Sequence, residues 1–496
     1  MNNPQSEETR SYRNIFKATT LFGGVQVYQI LINVIRSKFV AVLLGTAGMG
    51  IQGMLQSSLS LVQSFTSLGL CSSAIRDVSE ANGSGDMERI GRAVHTVRRL
   101  TWLTGLLGMV AVILFSPLLS KTSFGNSEYI LPLILLSCIP LIDQLGGGNA
   151  VILQGMRRLK DLAKASAIGA TLGLLISVPI YYVWGVKGIV PTLILASLAG
   201  FCINAFFAHK ISLPRPVMTT KEVWTNGKVM MKMGLALSFT GIVSTAVNYA
   251  LRSYIMRQGG ADSVGLYQAG FTIITTYVGM VFTAIGGDFY PRLAAVNTDN
   301  SACRLVISQQ GEIATQILAP ILCICALTMP LIVKILYSTQ FLDACPIALW
   351  CCPGMMLRLA SWLIAFQFVA KAESTLFIIT ETISGLFTLI VRLLGFKWFG
   401  LAGLGIGFSI TYVFYLILVY VIAKKRYGFS FSNSFVRAFL LQTVLVLGSM
   451  LTVSFVFTSV KYWLCGFLTL VSCLYAVIML ERKMGLVKML RDFLKQ

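Results

Sequence analysis

Gln26-Val-Tyr-Gln-Ile-Leu-Ile-Asn-Val-Ile-Arg-Ser-Lys38 lies inside an apolar run long enough to cross a bilayer, yet it is not apolar throughout. Gln26, Gln29, Asn33 and Arg36 follow at spacings of three, four and three, which places them on one face of a helix. A polar stripe ending in arginine must face protein or water rather than lipid. A second version, Ser244-Thr-Ala-Val-Asn-Tyr-Ala-Leu-Arg-Ser253, aligns Ser244, Asn248 and Arg252 at spacings of four. The two stretches predict a transporter whose halves each present a polar, cationic wall to a central cavity.

Working outward, the rest of the chain has the composition of a polytopic membrane protein. It is 56% hydrophobic and 12% charged, with mean hydropathy +0.77, against about 25% charged residues in a typical soluble domain. Apolar segments of spanning length number fourteen, the first near 17–43 and the last near 461–481. With both termini placed in the cytoplasm, 29 of the 40 Lys and Arg fall on the cytoplasmic side and 7 on the other. The net charge of +21 therefore reflects orientation rather than nucleic acid. The eleven cysteines are scattered in apolar runs, and His95 and His209 are the two histidines, so neither a disulfide framework nor a metal enzyme is indicated.

An internal repeat sets the domain plan. Trp184-Gly-Val-Lys-Gly-Ile189 matches Phe399-Gly-Leu-Ala-Gly-Leu404 at an offset of 215, as Gly50 matches Gly265 and Asn33 matches Asn248. Arg36 and Arg252, and Arg76 and Arg292, match at 216. Six spans per repeat is an even number, so the halves run in the same direction. The expected plan is all-α: an N-lobe over 1–209, a linker over 210–229 containing Leu213-Pro-Arg-Pro216, a C-lobe over 230–425, and two further spans with a basic tail over 426–496.

Ionisable groups within a bilayer are costly and each calls for a reason. Here cations outnumber acids. Arg36, Lys38, Arg252 and Arg358 are candidates for an anionic ligand, since a guanidinium binds phosphate oxygens two at a time and stays charged when partly desolvated. Lys38, Lys334 and Arg392 can also be read as snorkelling to the interface. In span two Gln52, Gln56, Ser60, Gln63 and Ser67 share a face, with the glutamines suited to hydroxyl-rich sugars. Asp143, Asp288 and Glu381 are candidates for coupling or gating through exchange of H⁺ or Na⁺. Asp143 and Arg358 occupy equivalent repeat positions and are expected to pair across the repeat axis. No glycine-rich stretch carries the Lys-Ser/Thr of a phosphate loop, so ATP hydrolysis is not indicated. No organic cofactor is indicated either.

Ser37-Lys-Phe-Val-Ala-Val-Leu-Leu-Gly-Thr-Ala-Gly-Met-Gly50, Asp288-Phe-Tyr-Pro-Arg-Leu293 and the doubled fourteen-span plan together resemble the Wzx-type oligosaccharide flippases. These are also called O-antigen translocases, of the multidrug/oligosaccharidyl-lipid/polysaccharide exporter superfamily; the likeness extends to the branch handling enterobacterial common antigen. The resemblance implies two six-helix lobes around a V-shaped central cavity, alternating access, and a bacterial cytoplasmic membrane. It implies an undecaprenyl-diphosphate-linked oligosaccharide as cargo, moved to the outer leaflet for O-antigen or other surface polysaccharide. It places Arg36, Lys38 and Arg252 as cavity cations. A polysaccharide polymerase and a chain-length regulator are the expected partners, alongside membrane lipids. Two other readings compete. A multidrug or organic-cation antiporter of the same superfamily would want an acidic cavity. A membrane polymerase or ligase would need a large external loop, and the external loops are short.

Overall fold

A computed structural model describes residues 4–211, 214, 218–456 and 460–485, with side chains from Gly24 onward except at 226 and 484. Among the described residues ten helical segments are long and apolar enough to cross a membrane. The chain forms two compact units, Met1–Val264 and Gly265–Gln496.

The first unit holds α1 (Pro4–Thr66), α2 (Leu70–Ser84), α3 (Met87–Phe124), α4 (Ile130–Leu136), α5 (Cys138–Gly155), α6 (Leu159–Trp184) and α7 (Ile189–His209). It also holds the larger part of α8 (Thr220–Thr272). Leu55, Val112, Leu133, Leu136, Tyr181 and Ile189 form its main core. A second core under α2 is built from Leu70, Val78, Val97 and Ile152.

The second unit continues from α8 through α9 (Met280–Ala295), α10 (Asn300–Leu336), α11 (Cys345–Ala370), α12 (Ser374–Tyr427), α13 (Asn433–Phe455) and α14 (Val460–Met484). Its centre is α11, where Met355, Met356, Leu359, Leu363, Ile364 and Phe368 are fully buried.

Local chemistry sets the helix ends. The Asp86 side chain accepts from the amides of Glu88 and Arg89 to start α3, Asp299 caps α10 through Ser301, and Ser432 caps α13 through Phe435. Thr219 and Glu222 form a reciprocal capping box, so α8 begins at Thr220, inside the stretch expected to be linker. The division by contacts likewise falls at Val264, later than 210–229. The physical reason is that residues 249–253 of α8 bond to the other helices of the first unit. Ser253 donates to the Thr122 carbonyl, the Tyr249 hydroxyl bonds Thr122 and Ser123 at 2.8 and 2.9 Å, and Arg252 Nη1 donates to the Gly53 carbonyl at 3.1 Å.

The repeat reappears in the backbone. Gly45 (φ 67°, ψ −170°) and Gly260 (φ 75°, ψ −178°) break α1 and α8 in the same conformation, 215 residues apart. Gly185 (φ 53°, ψ −131°) and Gly400 (φ 57°, ψ −139°) do the same at the same offset. Arg157 and Ala372, non-glycine residues at positive φ, form a third pair. At Gly400 the chain folds back on itself. A Cβ on Gly403 would lie 1.9 Å from the Gly395 carbonyl oxygen, although eight residues of straight helix would separate them by roughly 12 Å. A Cβ on Gly188 would likewise meet the Ile180 carbonyl oxygen at 3.0 Å, the same pair of positions one repeat earlier. At Gly45, Gly260 and Gly400 two helical segments meet at a glycine with non-helical dihedrals, so α1, α8 and α12 are each two segments in succession.

Candidate functional site

The first unit contains two adjoining cavities. One, of about 430 Å³, is walled by Arg36 and Gln56 of α1, Asp143 and Gly147 of α5, and Ser197 and Asn204 of α7. The other, of about 330 Å³, is walled by Ser60 and Gln63 of α1, Ser67 just after it, Asp143 and Gln144 of α5, and Ser238 of α8. Asp143 borders both. Gln63 Nε2 donates to its Oδ2 at 3.1 Å. Gln144 Nε2 is turned the other way, to Thr104 Oγ1 at 3.0 Å.

The polar face of span two thus divides between the cavities: Gln56 lines the first, while Ser60, Gln63 and Ser67 line the second. Gln52, one turn earlier, is buried. Arg36 reaches the first cavity half-buried, its Nη1 passing within 3.6 Å of where a Gly173 Cβ would sit. The rest of the first stripe does not accompany it. Gln26 and Asn33 are exposed and Gln29 is half-buried, and the wall of either cavity includes none of them. Lys38 is half-buried.

Arg252 and Asn248 make bonds within the first unit. Arg252 ties α8 to the backbone at Gly53, and Asn248 Nδ2 bonds the Ser244 carbonyl of its own helix at 2.9 Å.

In the second unit Arg358 lies over the rings of Phe282 (5.0 Å) and Tyr412 (5.9 Å). Asp143 and Arg358, expected as a pair, therefore each have partners within their own unit. Glu381 accepts from the Tyr415 hydroxyl. Asp288 is exposed and paired with Arg292 at 3.1 Å. Lys334 is exposed, compatible with snorkelling, but Arg392 is not. Only 5% of Arg392 is exposed; its guanidinium stacks on Phe271 (4.5 Å) and Phe408 (5.2 Å) and reaches the Tyr267 hydroxyl at 3.4 Å. A helical hairpin directs it into the unit rather than along the helix to the interface, which hydropathy alone does not register.

The repeat has diverged at this wall. Moving 215 residues along replaces Gln56 by Phe271, Asp143 by Arg358, Gly147 by Trp362, Ser197 by Tyr412 and Gly200 by Tyr415. Those rings pack on one another: Phe271 meets Phe408, Phe408 meets Tyr412, and Phe282 meets Trp362, each with centroids within 5.6 Å. One unit keeps an open polar hollow where the other is filled with aromatic rings.

Sequence reasoning passed over Ser197, Gly200 and Asn204. Their spacings of three and four put them on one face of α7, a signal of the same kind as the stripe containing Arg36. Three small or neutral residues, one of them a glycine, interrupt an apolar helix too little to mark a face as the five residues of span two do.

The profile of the polysaccharide biosynthesis protein family matches residues 39–346, more than half of the chain. The chain belongs to this family. It is 20% identical over 433 residues to the lipid III flippase of Escherichia coli (strain K12), covering 83% of this chain and 100% of that protein. The Shigella flexneri lipid III flippase matches to the same extent. The fold is shared with an inward-facing multidrug resistance MATE family transporter of the MOP superfamily, at TM-score 0.67 and 15% identity over 81% of this chain and 94% of that one. It is shared equally with the lipid II flippase MurJ in an inward closed conformation, at TM-score 0.67 and 13% identity over 94% and 99%. This member of the polysaccharide biosynthesis family is a multi-pass membrane protein with the MOP-superfamily fold. Its relatives are flippases and transporters rather than enzymes.

Proposed function

We propose that the chain is a flippase for a lipid-linked oligosaccharide, specifically an undecaprenyl-diphosphate-linked repeat unit carried from the cytoplasmic to the outer leaflet of a bacterial cytoplasmic membrane. The observation that carries the reading is the first unit's cavity. A single guanidinium, Arg36, and a single carboxylate, Asp143, which accepts from Gln63, sit among the neutral hydrogen-bonding groups of Gln56, Ser197 and Asn204 in a space of about 430 Å³. A diphosphate requires a cation that remains charged away from bulk water, and sugar hydroxyls require groups that both donate and accept. The lipid III flippase relatives support a lipid-linked cargo. In this reading each glycine-broken helix is a hairpin between two crossings, the chain crosses fourteen times with both termini inside, and the repeat-based lobes alternate access. Asp143 and Glu381 are the carboxylates for H⁺ or Na⁺ coupling, and a polymerase receives the flipped unit.

The test is flipping by purified protein in proteoliposomes of a fluorescent polyprenyl-diphosphate oligosaccharide, with the same lipid lacking its diphosphate as control. Diphosphate-dependent flipping that Arg36→Ala abolishes supports the proposal. Asp143 in the same cavity and the shared MATE fold favour one other reading, efflux of organic cations. Proton-coupled cation efflux without lipid flipping would establish that one instead.

A further inference from the structure

A third cavity lies wholly within the second unit. It holds about 200 Å³ and is walled by Arg292 of α9, by Gln310, Glu312 and Gln316 of α10, and by Leu480 and Lys483 of α14. Its polar groups are unequally satisfied. Glu312 is engaged on both oxygens: Oε1 accepts from Ser432 Oγ at 3.2 Å and Oε2 pairs with Lys483 Nζ at 2.8 Å. Gln316 is not fully engaged. It is 4% exposed, and its Nε2 has no hydrogen-bond partner among the described residues.

The orientation of that amide is fixed by its neighbours. Gln442 Nε2 donates to the Ser472 backbone carbonyl, which only accepts, and Ser472 Oγ donates to Gln442 Oε1 at 2.6 Å. Gln442 Nε2 therefore also donates to Gln316 Oε1, at 2.8 Å, and the Gln316 NH₂ is the group left over. A buried donor without an acceptor is rare in folded proteins. Arg292 adds to the surplus. It is 44% exposed, and its bonds to Asp288 (3.1 Å) and Gln310 (3.5 Å) both run through Nη1.

The unfilled requirement is thus for an acceptor, beside two cations that each already pair with a carboxylate, Arg292 with Asp288 and Lys483 with Glu312. The place supplies one. α14 is an apolar membrane segment with Arg482 and Lys483 in its last turn, so the cavity lies where a crossing meets the headgroup layer, with Leu480 at its apolar edge. We propose that this cavity binds the phosphate of a glycerophospholipid, with Gln316 Nε2, the Arg292 fork and Lys483 as donors. The bound lipid would brace α14, which lies outside the repeat, against α9 and α10.

The full chain in mild detergent would be unfolded thermally with added phosphatidylethanolamine, with diacylglycerol, or with inorganic phosphate. The expected result is a saturable rise in midpoint of about 3 °C with the phospholipid alone. Gln316→Glu keeps Oε1 for Gln442 but replaces the free NH₂ with an anionic oxygen, and should lose most of the rise. Arg292→Gln, at a partly exposed position, should lose part of it and serves if Gln316→Glu does not fold. An equal rise with diacylglycerol, an equal rise with inorganic phosphate, or an undiminished rise in a folded variant would each overturn the proposal. None of these outcomes bears on flipping through the first unit's cavity.

Discussion

Gln63 donates its side-chain amide to Asp143 across 3.1 Å, at the wall where the two cavities of the first unit adjoin. The bond links α1 to α5 and places a carboxylate in a hollow otherwise lined by neutral groups and Arg36. Asp143→Asn keeps the shape and an acceptor for Gln63 but removes the charge. Transport coupled through this group should lose its dependence on the ion gradient while binding persists. An unchanged gradient dependence of flipping in Asp143→Asn vesicles would remove Asp143 from coupling.

Arg36 and Arg252 look equivalent in sequence and are not so in space. Arg36 lines a cavity; Arg252 holds the Gly53 carbonyl. Arg36→Ala should abolish diphosphate-dependent flipping with little change in thermal midpoint. Arg252→Ala should instead destabilise the fold by the roughly 1.5–3 kcal/mol typical of a hydrogen bond from a charged donor, and so lower the midpoint. Flipping rate and midpoint measured on both variants would separate the two roles.

The hairpin at Gly400 depends on backbone contact between Gly395 and Gly403. A Gly403→Ala methyl would sit 1.9 Å from a carbonyl oxygen and must force the helices apart, costing about 1–3 kcal/mol or more. Gly200 has nothing within 4 Å of its Cβ position, so Gly200→Ala should fold normally. Thermal unfolding of the pair provides its own internal control.

A similar close approach joins Gly69, at φ 61°, to Gly234: a Cβ on Gly234 would lie 2.6 Å from the Leu68 carbonyl oxygen. Gly234→Leu should open this contact. Cys71, half-buried and in the wall of the second cavity, would then react faster with a hydrophilic maleimide. An unaltered labelling rate in a folded variant would show that the contact does not limit access.

Arg392 is buried against two rings without a carboxylate partner among the described ion pairs. Buried charges are often replaced by apolar side chains of similar length at no loss of stability. Arg392→Met should therefore keep or raise the thermal midpoint, and Arg392→Lys, which cannot stack as a plane, should lower it. A sharp fall in Arg392→Met would mean that the guanidinium itself is required.

The sequence by itself determined the membrane class, the all-helical fold and the repeat. Each rests on features that neighbours along the chain reveal, namely hydropathy and glycines recurring 215 residues apart. It also marked the polar face of span two, because spacings of three and four define a helix face without knowledge of its partner. Only the tertiary structure decided that Arg36 enters a cavity while Arg252 donates to a backbone carbonyl, and that Arg392 is stacked inside rather than drawn to the interface. It alone showed that one repeat keeps a polar hollow where the other packs Phe271, Trp362 and Tyr412. The physical reason is that a helix face is a local property, whereas what covers that face is set by residues a hundred or more positions away.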